Sequence, residues 1–438
     1  MILFVLRSPT TPRSSYSTCH YPLTDSYLKH PLSRPLTPQN CQHKFDELAP
    51  DPRFRFFGNI SIGQTTSPLP RHPSSPYTYP SSLHIPLSTL YAHYTTLLFA
   101  YGSSLSTPLP HTPGSSSRED RLENVFPALA FVNWYNGHPA YTHLSPDLSG
   151  GKVTIIGQGN VAMDCARVLL KPPHEFEGTD MPSSVIDHLR KSKVKEVELV
   201  GRRGPGQVAF TTKEFREMIS LDNDEARVRF DWVRGEEMDK AKVASKGDRA
   251  RSRLLDLMSE GVKAKKKNKK PSSSAIPSDE PTSASTSTTP TQAEEKRFKL
   301  SFLLSPSAFL SSPQNPSDKK ITSIRWTKNT LLAPPSTPAD SPPGPPADPA
   351  SSNEGTAAAA SVAAQSVLAR PTGEEVVTPT GMVIESVGYR GESIVGGEDE
   401  REGAGEEDVP FDKARSRVMN VEGRVTDGSG VMVSPKSR

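Results

Sequence analysis

The residues of this chain whose types and spacing could do chemistry begin at Gly157-Gln158-Gly159-Asn160-Val161-Ala162, a G-x-G-x-x-A turn. A β-branched run, Lys152-Val153-Thr154-Ile155-Ile156, enters the turn, and a helical pattern leaves it through Met163 and Asp164. Glycine serves there because the backbone must come close to a pyrophosphate. The helix that follows aims its unpaired N–H groups and the positive end of its dipole at the phosphates. Glycine pairs also occur by chance, so the strand before and the helix after carry much of the weight.

A second strand pattern ends in Val200-Gly201-Arg202-Arg203-Gly204-Pro205. NAD sites place a carboxylate at this point to bind the ribose 2′-hydroxyl, and a carboxylate would repel a 2′-phosphate. Arg202 and Arg203 stand here instead, and guanidinium forks match a phosphate bidentately. The pair reads as selectivity for NADP(H); the plainer alternative is that both arginines solvate a strand end. Asp164 is expected in the first turn of the helix, where the dipole alone favours a carboxylate. Glu214, in Thr211-Thr212-Lys213-Glu214-Phe215, opens a further helix and by itself reads as a surface residue. Cys165 reads as a small buried apolar residue rather than a redox thiol.

These groups need elements to hold them. The pattern predicts a strand over 153–156, a helix from about 160 to 170 stopped by Lys171-Pro172-Pro173, a helix near 185–191 and a strand over 194–200. That βαβ order implies an α/β fold with a parallel sheet and helices on its faces. Upstream, Gly58-Asn59-Ile60-Ser61-Ile62-Gly63 predicts a strand, Thr89–Tyr94 a helical stretch and Leu97–Tyr101 a strand. Downstream, Val228/Phe230/Trp232, Phe298/Leu300/Phe302 and Ile321–Trp326 alternate in polarity and suggest a small strand group added to the nucleotide domain. Met382–Gly388 predicts one more strand.

Composition limits how much of the chain can pack. Of 438 residues, 34% are hydrophobic and 43 are proline, about twice the usual ~5% share. Segments 263–294 and 333–366 are low in complexity and too polar to offset chain entropy, so both are expected to be disordered insertions. The lysine run 263–270 reads as a solvated loop, and a net charge of +3 offers no global case for nucleic acid. The three cysteines have no metal-ligand spacing, and no metal site is expected. No apolar run approaches the ~18 residues of a membrane span. The basic, Ser/Thr-rich leader is compatible with a mitochondrial transit peptide or with a disordered tail.

At these residues the chain resembles the NADPH:adrenodoxin oxidoreductase family, ferredoxin–NADP(+) reductases of the glutathione-reductase-like fold. The matching blocks are Phe131–Gly137, Gly157–Asp164, Leu199–Pro205, Gln207–Thr211 with Lys213 and Glu214, and Pro379–Tyr389. Shorter ones are Arg55–Asn59, Val409–Asp412 and Asn420–Val425. The resemblance implies a Rossmann-like NADP-binding domain inserted in an FAD-binding domain. It implies that Gly157, Gln158, Gly159, Asn160, Val161 and Ala162 bind the NADP diphosphate, Arg202 and Arg203 the 2′-phosphate, and Glu214 the nicotinamide-side ribose. Asp164 matches a family aspartate that pairs with a histidine near the flavin, and is the expected catalytic residue. Ile62 matches a backbone contact to the FAD adenine. Arg249 and Arg253 match basic contacts for an acidic [2Fe–2S] ferredoxin of the adrenodoxin type.

The implied organisation is a leader over 1–39, part of the FAD-binding domain over 40–103, the NADP-binding domain over 121–375 and a return to the FAD-binding domain over 376–438. The family's G-x-G-P-x-G turn for FAD has no counterpart before Asn40, nor has its G-W…G-P-x-G-x-I segment after Val425. The flavin-binding domain is therefore expected to be incomplete. Two functions follow as expectations. One is NADPH-dependent transfer through FAD to a ferredoxin, on the matrix side of the mitochondrion and peripheral to the inner membrane. The other is a non-catalytic NADP(H)-binding fragment, or an incomplete gene product without a working flavin site.

Overall fold

The computed structural model describes residues 4–6, 49–52, 54–63, 83–94, 96–222, 227–261, 295–312, 314, 318–332, 367–394 and 409–426. The lysine run, both low-complexity insertions and nearly all of the leader lie outside the described residues.

Among the described residues, nine strands and six helices form the main sheet and its two covers. In chain order they are β1 (Val125–Pro127), α1 (Ala128–Tyr135), β2 (Lys152–Ile156), α2 (Asn160–Leu170), α3 (Ser183–Arg190), β3 (Glu196–Val200) and α4 (Thr212–Ile219). There follow β4 (Val228–Asp231), α5 (Glu236–Ala244), α6 (Arg249–Glu260), β5 (Lys296–Ser301), β6 (Leu304–Leu310), β7 (Ser323–Leu332), β8 (Leu368–Pro379) and β9 (Met382–Glu385). Six strands pair in parallel in the order β1-β9-β2-β3-β5-β4. The central strands are nearly continuous apolar runs because both sheet faces are covered.

The two covers differ. Val153, Ile155, Val197, Leu199, Phe298, Leu300, Met382 and Ile384 point to the helices, in one core with Phe131 of α1 and Ala162, Ala166 and Leu169 of α2. Ile156, Val200 and Val383 point the other way, onto Phe309, Ile324 and Trp326. That second cover is the antiparallel sheet β6-β7-β8. On the same face Glu198 is buried but paired with Lys152 and Lys299 and accepts from Ser301, as a buried charge must be.

The helix after the turn spans Asn160–Leu170 as expected and ends at Lys171. Two expectations need correction. Val228–Asp231 and Lys296–Ser301 belong to the main parallel sheet, and only Ser323–Leu332 of the three alternating stretches joins the added group. Asp164 is not in the first turn of its helix: α2 begins at Asn160, so the dipole does not account for it.

A smaller cluster lies upstream. Strand Ile60–Gly63 pairs in parallel with Leu83–Pro86, followed by helix Leu87–His93 and strand Thr96–Leu98. Leu87, Leu90 and Val409 are its buried residues, with Ile62 and Ile85 packed against them. Strand Phe4–Leu6 pairs antiparallel with Thr96–Leu98. No helix among the described residues is long and apolar enough to cross a membrane.

Candidate functional site

The glycine turn sits where β2 meets β9 and β3 at their C-terminal ends, the usual crevice for a ligand in an open parallel sheet. Gly157 adopts φ +123°, and a Cβ there would collide with the Ser386 carbonyl at the end of β9. Only glycine fits, because its position requires both a left-handed backbone and a close approach. The Gly157 amide donates to the Val200 carbonyl at 2.8 Å, and the Ser386 amide to Ile156 at 2.8 Å. The turn is thus fastened to strands on both sides.

Gly159 is the N-cap of α2 and offers no side-chain acceptor. The first bond within the helix runs from Met163 N to Gly159 O at 3.2 Å. The amides of Gly159, Asn160, Val161 and Ala162 precede it and have no acceptor within the helix, which leaves an anion-binding face. Ala162 is fully buried, so that α2 packs closely onto the sheet. Gln158 and Asn160 are used differently. The Gln158 side chain donates to Ser301 O at 2.8 Å, and the Gln158 backbone carbonyl accepts from the Ala209 and Phe210 amides. The Asn160 side chain accepts from Thr211 N at 3.0 Å. Both residues tie the turn to segment 209–211.

Arg202 and Arg203 lie in the turn after β3. The added sheet grips that turn through its backbone: Leu304 N donates to Gly201 O, Leu303 N to Arg203 O, and Asn329 Nδ2 to Arg202 O at 3.0 Å. Buried Asn329 also donates to Ser305 Oγ at 2.8 Å. Arg202 is exposed and Arg203 half-buried. Burial, and then repulsion from Arg202 and Arg251, holds the Arg203 guanidinium below its ordinary pKa. Cations gathered in this way favour a multiply charged anion.

Asp164 and Glu214 are brought together by a residue that sequence reasoning missed. Arg167 is 2% exposed and binds three carboxylates, those of Asp164, Glu214 and Glu217, the Glu214 contact at 2.6 Å. Glu214 is accordingly no free surface group; its backbone amide is also capped by Thr211 Oγ1. Burial raises the Asp164 pKa against the lowering by Arg167, and the neighbouring Glu214 and Glu217 raise it further. Tyr135 of α1 and Tyr389 complete this corner. Burial first, then Cys165 and Asp164, push the Tyr389 hydroxyl up to about 12 and Tyr135 well above its ordinary value. Cys165 is itself wholly buried, with a thiol raised far by desolvation, in keeping with an inert packing role.

The remaining candidates are separate. Ile62 belongs to the small upstream cluster and not to the glycine-turn crevice. Arg249 and Arg253 are exposed on α6. One more missed group lies at the end of β9: Glu385 is 3% exposed and accepts from the amide and hydroxyl of Ser116. Burial raises its pKa against those hydrogen bonds.

A parallel sheet carrying a G-x-G-x-x-A turn, with arginines after the next strand and an antiparallel sheet on the opposite face, defines a Rossmann-like dinucleotide-binding protein. No protein-family model matches the chain. It is 31% identical over 396 residues to the mitochondrial NADPH:adrenodoxin oxidoreductase of Bos taurus, covering 90% of this chain and 62% of that one. Against the Drosophila melanogaster protein of the same name it is 39% identical over 225 residues, 51% of this chain and 42% of the relative. The NADPH complex of FprA from Mycobacterium tuberculosis superposes with a TM-score of 0.60 at 26% identity, covering 92% of this chain and 67% of that one. Over most of its length the chain is similar to NADPH:adrenodoxin oxidoreductases. It spans less than two thirds of the length of the curated relatives that it matches.

Proposed function

We propose that this chain carries the NADPH-receiving part of a flavoprotein reductase that passes electrons from NADPH through FAD to a ferredoxin. The observation that carries this reading is the pairing of the Gly157–Ala162 turn with Arg202 and Arg203 in one crevice. On this reading the helix amides hold the diphosphate and the arginines hold the 2′-phosphate. Segment 121–375 is the NADP-binding domain, and the stretches on either side belong to the flavin-binding one. The Arg167 group of Asp164, Glu214 and Glu217 forms a fixed polar wall beside it, from which Glu214 reaches the nicotinamide-side ribose. Asp164, beside Tyr389 and Tyr135, is the group placed to act near the reacting ring.

FAD supplies the hydride-accepting chemistry in this activity. Among the described residues, the groups held in defined geometry at the glycine turn are those of the NADP(H) crevice. The chemistry assigned to these residues is therefore the binding and orientation of NADPH. Exposed Arg249 and Arg253 suit an acidic partner such as a [2Fe–2S] ferredoxin. The named relatives are mitochondrial proteins, which supports a mitochondrial location, on the matrix side and peripheral to the inner membrane.

The test is the absorbance spectrum of the purified chain after reconstitution with FAD, together with NADPH-dependent reduction of a ferredoxin. Flavin bands and electron transfer support the reductase. NADP(H) binding without either supports the second reading, a non-catalytic NADP(H)-binding protein.

A further inference from the structure

Arg202 and Arg203 have a cationic neighbour that comes from a different element. Asp248 caps α6 by accepting from the Arg251 amide at 2.9 Å, which places Arg251 in the first turn of the helix. Its side chain runs inward, and Nη1 donates to the Val208 carbonyl at 2.9 Å. Val208 closes the short 3₁₀ turn Pro205–Gln207, which begins two residues after Arg203. The Arg251 guanidinium is therefore held against the segment that directly follows the other two arginines, close enough for its charge to act on Arg203.

Anchoring matters more than proximity here. A guanidinium has five N–H donors in a rigid fork. The bond to Val208 occupies one and fixes the plane; the Nε and Nη2 donors have no acceptor among the described residues. A cation already held in one orientation loses little side-chain freedom when an anion arrives. Its charge is also felt across the turn, since Arg251 and Arg202 both disfavour a charged Arg203. Three converging positive charges raise the energy of the empty turn, and a phosphate dianion relieves all three. Arg249 and Arg253 behave differently, standing exposed on the same helix.

We infer that Arg251 is a third guanidinium of the 2′-phosphate site, so that α6 presents Arg251 to the nucleotide and Arg249 and Arg253 to solvent. This assignment rests on the NADP(H) reading above and deepens it. It also gives α6 a place in selectivity: the helix adds a third, anchored cation to a two-arginine strand end.

The test is equilibrium binding of 2′,5′-ADP and of 5′-AMP to the full chain and to Arg251→Gln, Arg251→Lys and Arg253→Gln. Glutamine removes the charge and shortens the side chain, whereas lysine keeps a charged donor that can reach toward the Val208 carbonyl; the pair separates loss of charge from loss of the brace. Arg251→Gln is expected to weaken 2′,5′-ADP about tenfold, the worth of one charge-assisted hydrogen bond, and to leave 5′-AMP unchanged. Arg251→Lys restores most of the loss, and Arg253→Gln matches the unsubstituted chain. Equal weakening of both nucleotides by Arg251→Gln would mean that Arg251 only braces Val208, and overturns the assignment. So does an unchanged preference for 2′,5′-ADP. If the unsubstituted chain itself does not distinguish 2′,5′-ADP from 5′-AMP, the NADP(H) reading fails, and the role of Arg251 fails with it.

Discussion

Arg167 shows how far the behaviour of a site residue depends on its partners. It emerges from α2, yet its guanidinium is buried beneath Asp164, Glu214 and Glu217. Its Nε is buried with no acceptor among the described residues. Replacing it by methionine would leave three carboxylates facing each other without a cation. Removing one partner of a buried ion pair costs about 3–5 kcal/mol, and urea unfolding of Arg167→Met at pH 7 is expected to show a loss of that size. A loss under 1 kcal/mol would show the network to be well solvated. Glu385 makes a second case, with the opposite sign. Its folded pKa is raised by burial, so the folded state binds the proton more tightly than the unfolded state. Stability then falls as pH rises from the unfolded carboxylate value through the folded one. Glu385→Gln, which keeps an acceptor for Ser116, is expected to remove that part of the pH slope and to be the more stable form at pH 7. Unfolding curves at pH 4 and pH 7 check this, and equal slopes in both proteins would refute it.

At the scale of elements, the glycine turn depends on its neighbours as much as on its own sequence. Gly157→Ala combines a left-handed backbone with a collision against the Ser386 carbonyl, which is backbone and cannot give way cheaply. Strain of this kind costs about 1–3 kcal/mol before any clash. The expected result is a clearly lowered melting temperature and loss of nucleotide binding, and a melt within a degree of the parent would contradict it. Gly201→Ala meets only the end of the Gln158 side chain, which can move, and should cost less.

The sequence disclosed β2, α2 and β3 well, because apolar runs bounded by glycine and proline are local signals. It misplaced β4 and β5, since their alternating pattern looks like that of an antiparallel strand. Parallel pairing of β5 with β3 and β4 is a contact across long separations that no local pattern records. The surroundings of Asp164 were illegible for a related reason: Glu214 and Glu217 meet it only through the buried Arg167. The position of Arg202 and Arg203 was legible because it is fixed locally by the end of the strand before them. Arg251 and Asn329 were not, as each acts on that turn from a distant element.

At the scale of the whole molecule, one sheet separates two different covers, helices on one face and an antiparallel sheet on the other. The helical face supplies the free amides at the start of α2, and the antiparallel sheet holds the arginine turn by its backbone. Both covers therefore converge on one crevice, and the upstream cluster around Leu87 and Leu90 stands apart as a much smaller core. The central claim is that this crevice is built for a 2′-phosphorylated dinucleotide. It is tested most directly by calorimetric titration of NADP+ and NAD+ into the chain and into an Arg202→Ala/Arg203→Ala variant. The account predicts that the chain binds NADP+ at least about tenfold more tightly than NAD+ and that the variant loses the difference. Equal affinities in the unsubstituted chain, or a preference that survives in the variant, would contradict it.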